Sequence, residues 1–304
     1  MMNMTQGLKG QPTLLPIASS GPGRPAMVGP TGTVSANNSQ LAISDGRSVQ
    51  TAWQKLIANQ GDRQVVFVGL NNSYFRPVQF FSDNKKALVQ DMGFPANRVA
   101  EVDTGFTTPF ATNADSLYKE LLQLYQAKGK VPIVAIGNPT TSVDLLLTVL
   151  KHPDLLEKGI IDKMVLVQPA FGTPLANLPW PLNHLPVVQK NSVPAVRAQI
   201  DEALAKFPQA LRSKLDDTVN YVRAGTTPGH INPLFFIPAL LLKAKGPNDG
   251  ISLENDQRIP GVGRDLEVWD NTDHWDLLGA GPAADSPAAL RRKFTQSLFQ
   301  RLYP

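Results

Sequence analysis

The residue types in this chain restrict the chemistry that it can perform. It contains no cysteine, which excludes a disulfide framework, a cysteine nucleophile and a thiolate metal site. Its four histidines show no metal-ligand spacing. No Gly-x-x-x-x-Gly-Lys-Ser/Thr phosphate loop and no strand-linked Gly-x-Gly-x-x-Gly motif occurs. The sequence therefore predicts neither a metal site nor a cofactor.

Two titratable side chains, Asp249 and His274, lie in polar loops of the C-terminal third. Each loop follows an apolar segment predicted to be a strand, at residues 236–243 and 266–269. Loops at the ends of buried strands are where a scaffold carries functional groups. Asn-Asp-Gly is also a common turn sequence, and His274 alone is compatible with a surface or capping histidine. Asp273 is interpreted as a loop residue that hydrogen-bonds locally.

The elements that must position these loops alternate between strands and helices. Apolar runs typical of strands buried on both faces occur at residues 64–70, 131–137 and 163–168. Apolar residues recur at helical spacing in residues 113–127 and 141–150. The other predicted elements are helices at 47–59, 85–91 and 287–302 and a strand at 98–102. This alternation predicts an α/β fold with a doubly wound, mostly parallel sheet.

The regular alternation stops at residues 170–233, which are rich in proline and contain two helical stretches, at 193–207 and 209–224. Ligands of such folds bind beyond the carboxyl ends of the strands. We therefore predict that residues 170–233 form an inserted helical cap over that edge of the sheet.

The N-terminal segment, residues 1–44, differs in composition from the domain predicted at 45–304. It is rich in Gly, Pro, Ser, Thr, Asn and Gln, and its only charged residues are Lys9 and Arg24. Such a segment buries too little apolar surface to offset its ordering entropy, which predicts a disordered tail. Its polar, Ser-rich, acid-free composition also resembles a type III export signal, whereas the apolar run at 14–17 is too short for a Sec signal.

Charge and hydropathy exclude two classes of partner. The formal charge is +4, and the basic residues are scattered rather than arranged in a stripe with aromatics, which argues against nucleic-acid binding. No transmembrane span is predicted, because Pro238 and Lys243 bound the longest apolar run. We expect a soluble protein, cytoplasmic or exported without a cleavable Sec signal.

Three stretches in chain order resemble α/β-hydrolases of the bacterial esterase/lipase type. Residues 134–141 (VAIGNPTT) resemble the segment of strand, Gly-His-Ser-x-Gly and helix in that family. Residues 246–252 (GPNDGIS) resemble the loop that presents the acid, and residues 271–277 (NTDHWDL) resemble the loop that carries the histidine. Residues 168–178 resemble the entry to the lipase cap. The resemblance, which extends from residue 64 to the C-terminus, implies the α/β-hydrolase fold.

The resemblance implies that Asp249 is the acid and His274 the general base of a triad. Pro139 occupies the nucleophile position, and proline has no hydroxyl that could attack an acyl carbon. The proline ring fixes φ at about −65°, which is incompatible with the positive φ of a nucleophile elbow. Thr141 replaces the second glycine of the motif, so the elbow is expected to be absent. The pair Thr140-Thr141 instead predicts a helix N-cap, with a hydroxyl accepting from first-turn amides.

The sequence leaves three functions open. The first is a pseudoenzyme that keeps a capped pocket for a small apolar or acyl ligand or a protein partner. The second is an active carboxylic-ester hydrolase that uses Thr140 or Ser142 as a non-standard nucleophile. The third is a secreted bacterial effector that uses the fold as a scaffold. In an active enzyme, Asn71 or Asn72 could donate to an oxyanion, or either could merely turn the chain.

Overall fold

A six-stranded sheet is the centre of the fold. The computed structural model describes residues 62–71, 79–105, 108–172, 193–226, 231–280 and 288–303. The strands are β1 (Gln64–Asn71), β2 (Gln79–Phe80), β3 (Val99–Gly105), β4 (Ile133–Gly137), β5 (Ile161–Val167), β6 (Val219–Gly225), β7 (Arg264–Asp270) and β8 (Gly279–Ala280). Six of them form one parallel sheet in the order β3-β1-β4-β5-β6-β7, while β2 and β8 pair antiparallel.

Helices cover both faces of the large sheet. They are α1 (Ser82–Lys86), continued by a π-helical turn (Ala87–Asp91), α2 (Phe110–Ala127), α3 (Thr141–Lys151), α4 (Asp154–Glu157), α5 (Val193–Lys206), α6 (Arg212–Thr218), α7 (Pro233–Leu242) and α8 (Ala288–Leu302). Alternate residues of β1 point to opposite faces of the sheet. Val66 packs in one core with Leu146 of α3, and Phe67 packs in the other core with Phe294 of α8. The doubly wound α/β architecture predicted from the sequence is confirmed.

The strand order reverses beside β1. The chain runs from β1 outward to β3, then returns to the other side of β1 to form β4, and adds β5, β6 and β7 in sequence. The carboxyl ends of β1 and β4 therefore flank a topological switch point, where open α/β sheets bind ligands. Asn71 ends β1, and residues 138–140 follow β4 at this edge.

The strand predicted at residues 236–243 is wrong, because this run belongs to α7. Short apolar runs fit a buried strand and a buried helix equally well. In α7 the buried residues Phe235, Ala239 and Leu242 recur at helical spacing. The loop of Asp249 therefore does not follow a strand directly, since α7 lies between it and β6.

The cap insert predicted at residues 170–233 is also wrong as a single unit. The helix predicted at 209–224 ends at Thr218, and the chain continues as β6, which pairs with β5 and β7 inside the main sheet. Polar residues obscured this strand in the sequence, but the structure satisfies them. Asn220 donates to the Thr218 carbonyl at 2.7 Å, and Arg223 donates to Asp265 at 3.0 Å.

The first helical stretch of that predicted insert packs with the sheet layer. Val196 and Ile200 of α5 are buried in the core that also contains residues of α3. Residues 173–192, which also belong to the predicted cap, lie outside the described residues. So do residues 1–61, which include the predicted tail and the helix predicted at 47–59. No helix among the described residues is long and apolar enough to cross a membrane.

Candidate active site

Asp249 and His274 form a buried hydrogen-bonded pair. Nδ1 of His274 lies 2.7 Å from Oδ2 of Asp249, and the two side chains are 6% and 0% exposed. The backbone N–H of His274 also donates to the Asp249 carbonyl at 3.0 Å. When Nδ1–H donates to the carboxylate, Nε2 is left as the proton acceptor. The pair therefore has the geometry of an acid that orients a general base.

The Asp249 carboxylate is fixed by its own loop. Its Oδ1 accepts from the N–H groups of Ile251 at 2.9 Å and Ser252 at 2.8 Å, and the Ser252 hydroxyl lies 3.3 Å from both carboxylate oxygens. Gly250 allows this tight turn with a φ of 96°. A Cβ at that position would lie 2.6 Å from the Cβ of Phe235 in α7. The small Asn-Asp-Gly loop thus holds Asp249 close to α7.

Neighbouring carboxylates also fix the loop that carries His274. The two carboxylate oxygens of Asp273 accept from the N–H groups of Trp275 at 2.9 Å and Asn232 at 2.7 Å. Asp276 accepts from the Asp273 N–H at 2.7 Å. Burial raises the pKa of Asp273. The bond from Trp275 is a local hydrogen bond of the kind predicted for Asp273, whereas the bond from Asn232 joins residues 41 positions apart.

The turn after β4 differs from a strained elbow. It comprises Asn138, Pro139 and Thr140, none of which has a positive φ. Gly137 allows α3 to approach closely, because a Cβ there would lie 3.0 Å from the Ser142 backbone nitrogen. The close strand–helix contact of the sequence motif is thus present without the left-handed residue that an elbow requires.

Thr141 uses its hydroxyl to fasten this turn to the sheet. The oxygen accepts from the Asn138 N–H at 2.8 Å, and the hydroxyl lies 2.7 Å from the Val68 carbonyl, to which it can donate. Thr141 is completely buried. The predicted hydroxyl N-cap is wrong, because Thr140 at the N-cap position makes no side-chain cap hydrogen bond. The Thr141 hydroxyl instead bonds to the Asn138 N–H and to the Val68 carbonyl in β1.

The two hydroxyls considered as substitute nucleophiles are not engaged with the histidine. The oxygens of Thr140 and Ser142 are buried, and neither has a hydrogen-bond partner within the described part of the chain. The same ranges provide no serine or threonine hydroxyl that bonds to His274, whose ring contacts the Asp249 carboxylate. No nucleophile–base hydrogen bond of a serine hydrolase is formed among these residues.

Gln168 links the turn to the histidine loop and was not identified from the sequence. It follows β5, is completely buried, and adopts a φ of 45°, which is uncommon for a residue with a Cβ. Its side-chain amide donates to the Asp273 carbonyl at 2.5 Å. Two residues later, the Ala170 N–H donates to the Pro139 carbonyl at 3.1 Å. A chain of contacts therefore brings Pro139 and His274 to the same edge of the sheet.

The two predicted oxyanion donors, Asn71 and Asn72, fall at the limit of the described residues. Asn71 ends β1 at the switch point, but its side chain and the whole of Asn72 lie outside the described residues. Within the described ranges, no group of three or more His, Cys, Asp or Glu side chains could hold a metal ion.

Aromatic residues pack on the pair, and a cavity lies next to the loop that carries Asp249. The ring of Phe235 packs edge-on against His274, with centroids 5.7 Å apart, and against Trp275 at 4.7 Å. A cavity of about 580 Å³ lies beyond the carboxyl ends of β6 and β7, beside the Asp249 loop. Its lining mixes polar and apolar residues, among them Thr226, Ile231, Ala239 and Asn248.

Solved structures with a similar fold include esterases and lipases. A metagenomic carboxyl esterase, MGS0156, is similar over 79% of this chain and 75% of its own, with 18% identity and a TM-score of 0.56. Phospholipase PlaB from Legionella pneumophila is similar over 64% of this chain and 44% of its own, with 11% identity and a TM-score of 0.47. Est1E from Butyrivibrio proteoclasticus is similar over 81% of this chain and 92% of its own, with 11% identity and a TM-score of 0.37.

No protein-family model matches the sequence, and no curated protein matches it significantly. At identities this low, similarity to solved structures establishes the fold alone. The parallel sheet, its helices on both faces and the similarity to MGS0156 agree with one another. The chain has the α/β-hydrolase fold.

Proposed function

We propose that this protein lacks ordinary serine-hydrolase catalysis and binds a small apolar or acyl ligand beside His274. The observation that carries the proposal is the turn after β4. Pro139 stands in the position that resembles the nucleophile, and no described hydroxyl bonds to the His274 ring. An oriented base without a nucleophile favours ligand binding over acyl transfer.

The local geometry supports a rebuilt turn rather than the loss of one atom. The turn lacks a residue with positive φ, and the Thr141 hydroxyl is committed to the Asn138 N–H and the Val68 carbonyl. Attack on an acyl carbon requires a nucleophile within about 2.6–3.2 Å of its base. These features disfavour a simple return to serine-hydrolase geometry.

The aromatic surroundings support an apolar or acyl ligand. The ring of Phe235 packs against the imidazole and against the ring of Trp275, so the surroundings of His274 are apolar on that side. Pockets for small ligands are typically apolar, with a few polar groups that fix orientation. Nε2 of His274 would supply one such group.

A fluorophosphonate probe and short-chain nitrophenyl esters test the proposal. We expect no labelling, and turnover no faster than that of the His274→Ala variant. Binding of a medium-chain fatty acid, measured by calorimetry and weakened in the Phe235→Ala variant, would support an apolar or acyl ligand. Ester cleavage that disappears in His274→Ala would overturn the claim that the site is catalytically inert.

The second candidate is an active ester hydrolase with an unusual nucleophile. It is favoured by the buried hydroxyls of Thr140 and Ser142, which have no hydrogen-bond partner among the described residues. A movement that brings one of these hydroxyls to hydrogen-bond distance from His274 would be needed. Probe labelling that vanishes in Thr140→Ala or Ser142→Ala, but persists in the other variant, would identify the nucleophile.

A further inference from the structure

One helix of the fold is apolar on all sides but is only half covered by protein. The residues of α7 are Pro233–Leu242, and none of them is charged. Its inner side is buried and includes Phe235, Ala239 and Leu242. A helix that is apolar all round normally has apolar surroundings on every side. The outer side of α7 therefore lacks the environment that its composition favours.

The outer side forms a continuous apolar patch. It consists of Phe236, Ile237, Leu240 and Leu241, which are 44%, 65%, 52% and 45% exposed. These four are all of the exposed large hydrophobic side chains among the described residues. Their spacing along the chain places them on one face of the helix. A clustered patch of this kind marks an interaction surface, whereas scattered apolar residues do not.

Charges next to the patch point to an anionic partner. Lys243 and Lys245 follow α7 directly and are exposed, and neither forms an ion pair with a described residue. No acidic residue occurs from 231 to 248. Two acids line the adjoining cavity together with Lys243: Glu254, which is paired with Arg223 at 2.8 Å, and Asp270. The patch thus combines apolar side chains with unpaired positive charge.

We propose that the outer face of α7 docks on an anionic lipid surface. A helix of ten residues is about 15 Å long, too short to cross a bilayer, so it would lie in the interface. Apolar side chains beside lysines are the combination that binds such interfaces. A two-fold dimer through this face would pair it with itself, and residues 231–248 contain no carboxylate for the lysines, so a second copy fits less well.

Docking would hold the site near the lipid surface. On its inner side α7 contacts the site directly, because Phe235 packs on His274 and against Gly250 of the Asp249 loop. The surface proposal does not depend on whether the protein cleaves esters, since it rests on the outer residues alone.

Vesicle partitioning of the full chain tests this proposal. The vesicles contain phosphatidylcholine with or without phosphatidylserine, and the variants are Ile237→Gln/Leu240→Gln and Lys243→Gln/Lys245→Gln. We expect the first variant to partition at least about tenfold more weakly onto both vesicles. The second should lose about tenfold or more on phosphatidylserine vesicles and little on phosphatidylcholine alone.

A matched control is Lys128→Gln/Lys130→Gln. These lysines are also exposed and two residues apart at the end of a helix, α2, but have no apolar patch beside them. The control should partition like the wild type. Equal loss in the control, wild-type partitioning of both α7 variants, or no binding of the wild type would overturn the proposal. A wild-type dimer that Ile237→Gln/Leu240→Gln dissociates, without vesicle binding, would assign the patch to a second copy instead.

Discussion

The acid–histidine loops and the turn after β4 lie at one edge of the sheet but differ in how their polar groups are satisfied. In the loops, the Asp249 carboxylate accepts from two N–H groups and faces the imidazole. In the turn, the oxygens of Thr140 and Ser142 are buried without a partner among the described residues. The loops thus form a hydrogen-bond network around the Asp249 carboxylate, whereas the turn leaves two buried hydroxyl oxygens without a described partner.

The two regions are held in place by largely different sets of contacts. The loops are held by bonds to one another and to α7, so they do not require a nucleophile to keep their geometry. The turn is fastened through Thr141 to β1 and is connected to the loops through residues 168–170. Substitutions in the two regions should therefore have different energetic consequences.

The largest effect is expected for Asp249→Ala. This change removes a completely buried carboxylate and leaves the N–H groups of Ile251 and Ser252 without their acceptor. We expect the free energy of unfolding to fall by about 3–5 kcal/mol, as for other broken buried pairs. Denaturant titration monitored by circular dichroism measures the change.

Asp249→Asn is the control for that substitution. Its amide oxygen can still accept from the loop N–H groups, so we expect a loss of about 2 kcal/mol. A loss below about 1 kcal/mol for Asp249→Ala would contradict the view that this network stabilises the fold.

A smaller effect is expected for Thr141→Val, which keeps the side-chain shape and removes the hydroxyl. The buried Asn138 N–H and the Val68 carbonyl would each lose a partner. We expect a loss of about 2 kcal/mol in the same denaturation experiment. If Thr141→Val unfolds at the wild-type denaturant concentration, the hydroxyl does not fasten the turn.

Ser142→Ala should have almost no effect on stability, although Ser142 is also completely buried. Its hydroxyl has no described partner, so its removal sacrifices no hydrogen bond and relieves an unsatisfied polar atom. We expect a change within about 0.5 kcal/mol, toward higher stability. A loss comparable to that of Thr141→Val would mean that the Ser142 hydroxyl makes a bond absent from this structure.

The fold was predictable where apolar runs have a clear period. β1, β4 and β5 are continuous apolar runs, and α2 and α3 show regular helical spacing, so each was located to within a few residues. β6 and α7 were misassigned for opposite reasons. β6 carries the polar residues Asn220 and Arg223, which bond to Arg264 and Asp265, 44 and 42 residues away, while α7 is so uniformly apolar that it shows no face.

The site was predictable in its residue types but not in its connections. The carboxyl ends of β6 and β7 lie side by side, which explains why two loops 25 residues apart can bring Asp249 to His274. Gln168 could not be singled out, because its role depends on a positive φ and on a carbonyl 105 residues away. A sequence pattern of apolar residues contains no signal for either.

The smallest effect is expected for placing a hydroxyl at Pro139, the position that resembles the nucleophile. Pro139→Ser should leave nitrophenyl-ester turnover within about twofold of the His274→Ala background, because the turn lacks positive φ and Thr141 keeps it fastened to β1. Pro139→Ser/Thr141→Gly is the matched variant, since it adds the glycine that an elbow requires. Turnover that appears only in the double variant would locate the defect in the backbone of the turn. Turnover that appears in Pro139→Ser alone, and disappears when His274→Ala is added, would show that the turn already has the shape of an elbow and lacks only the oxygen.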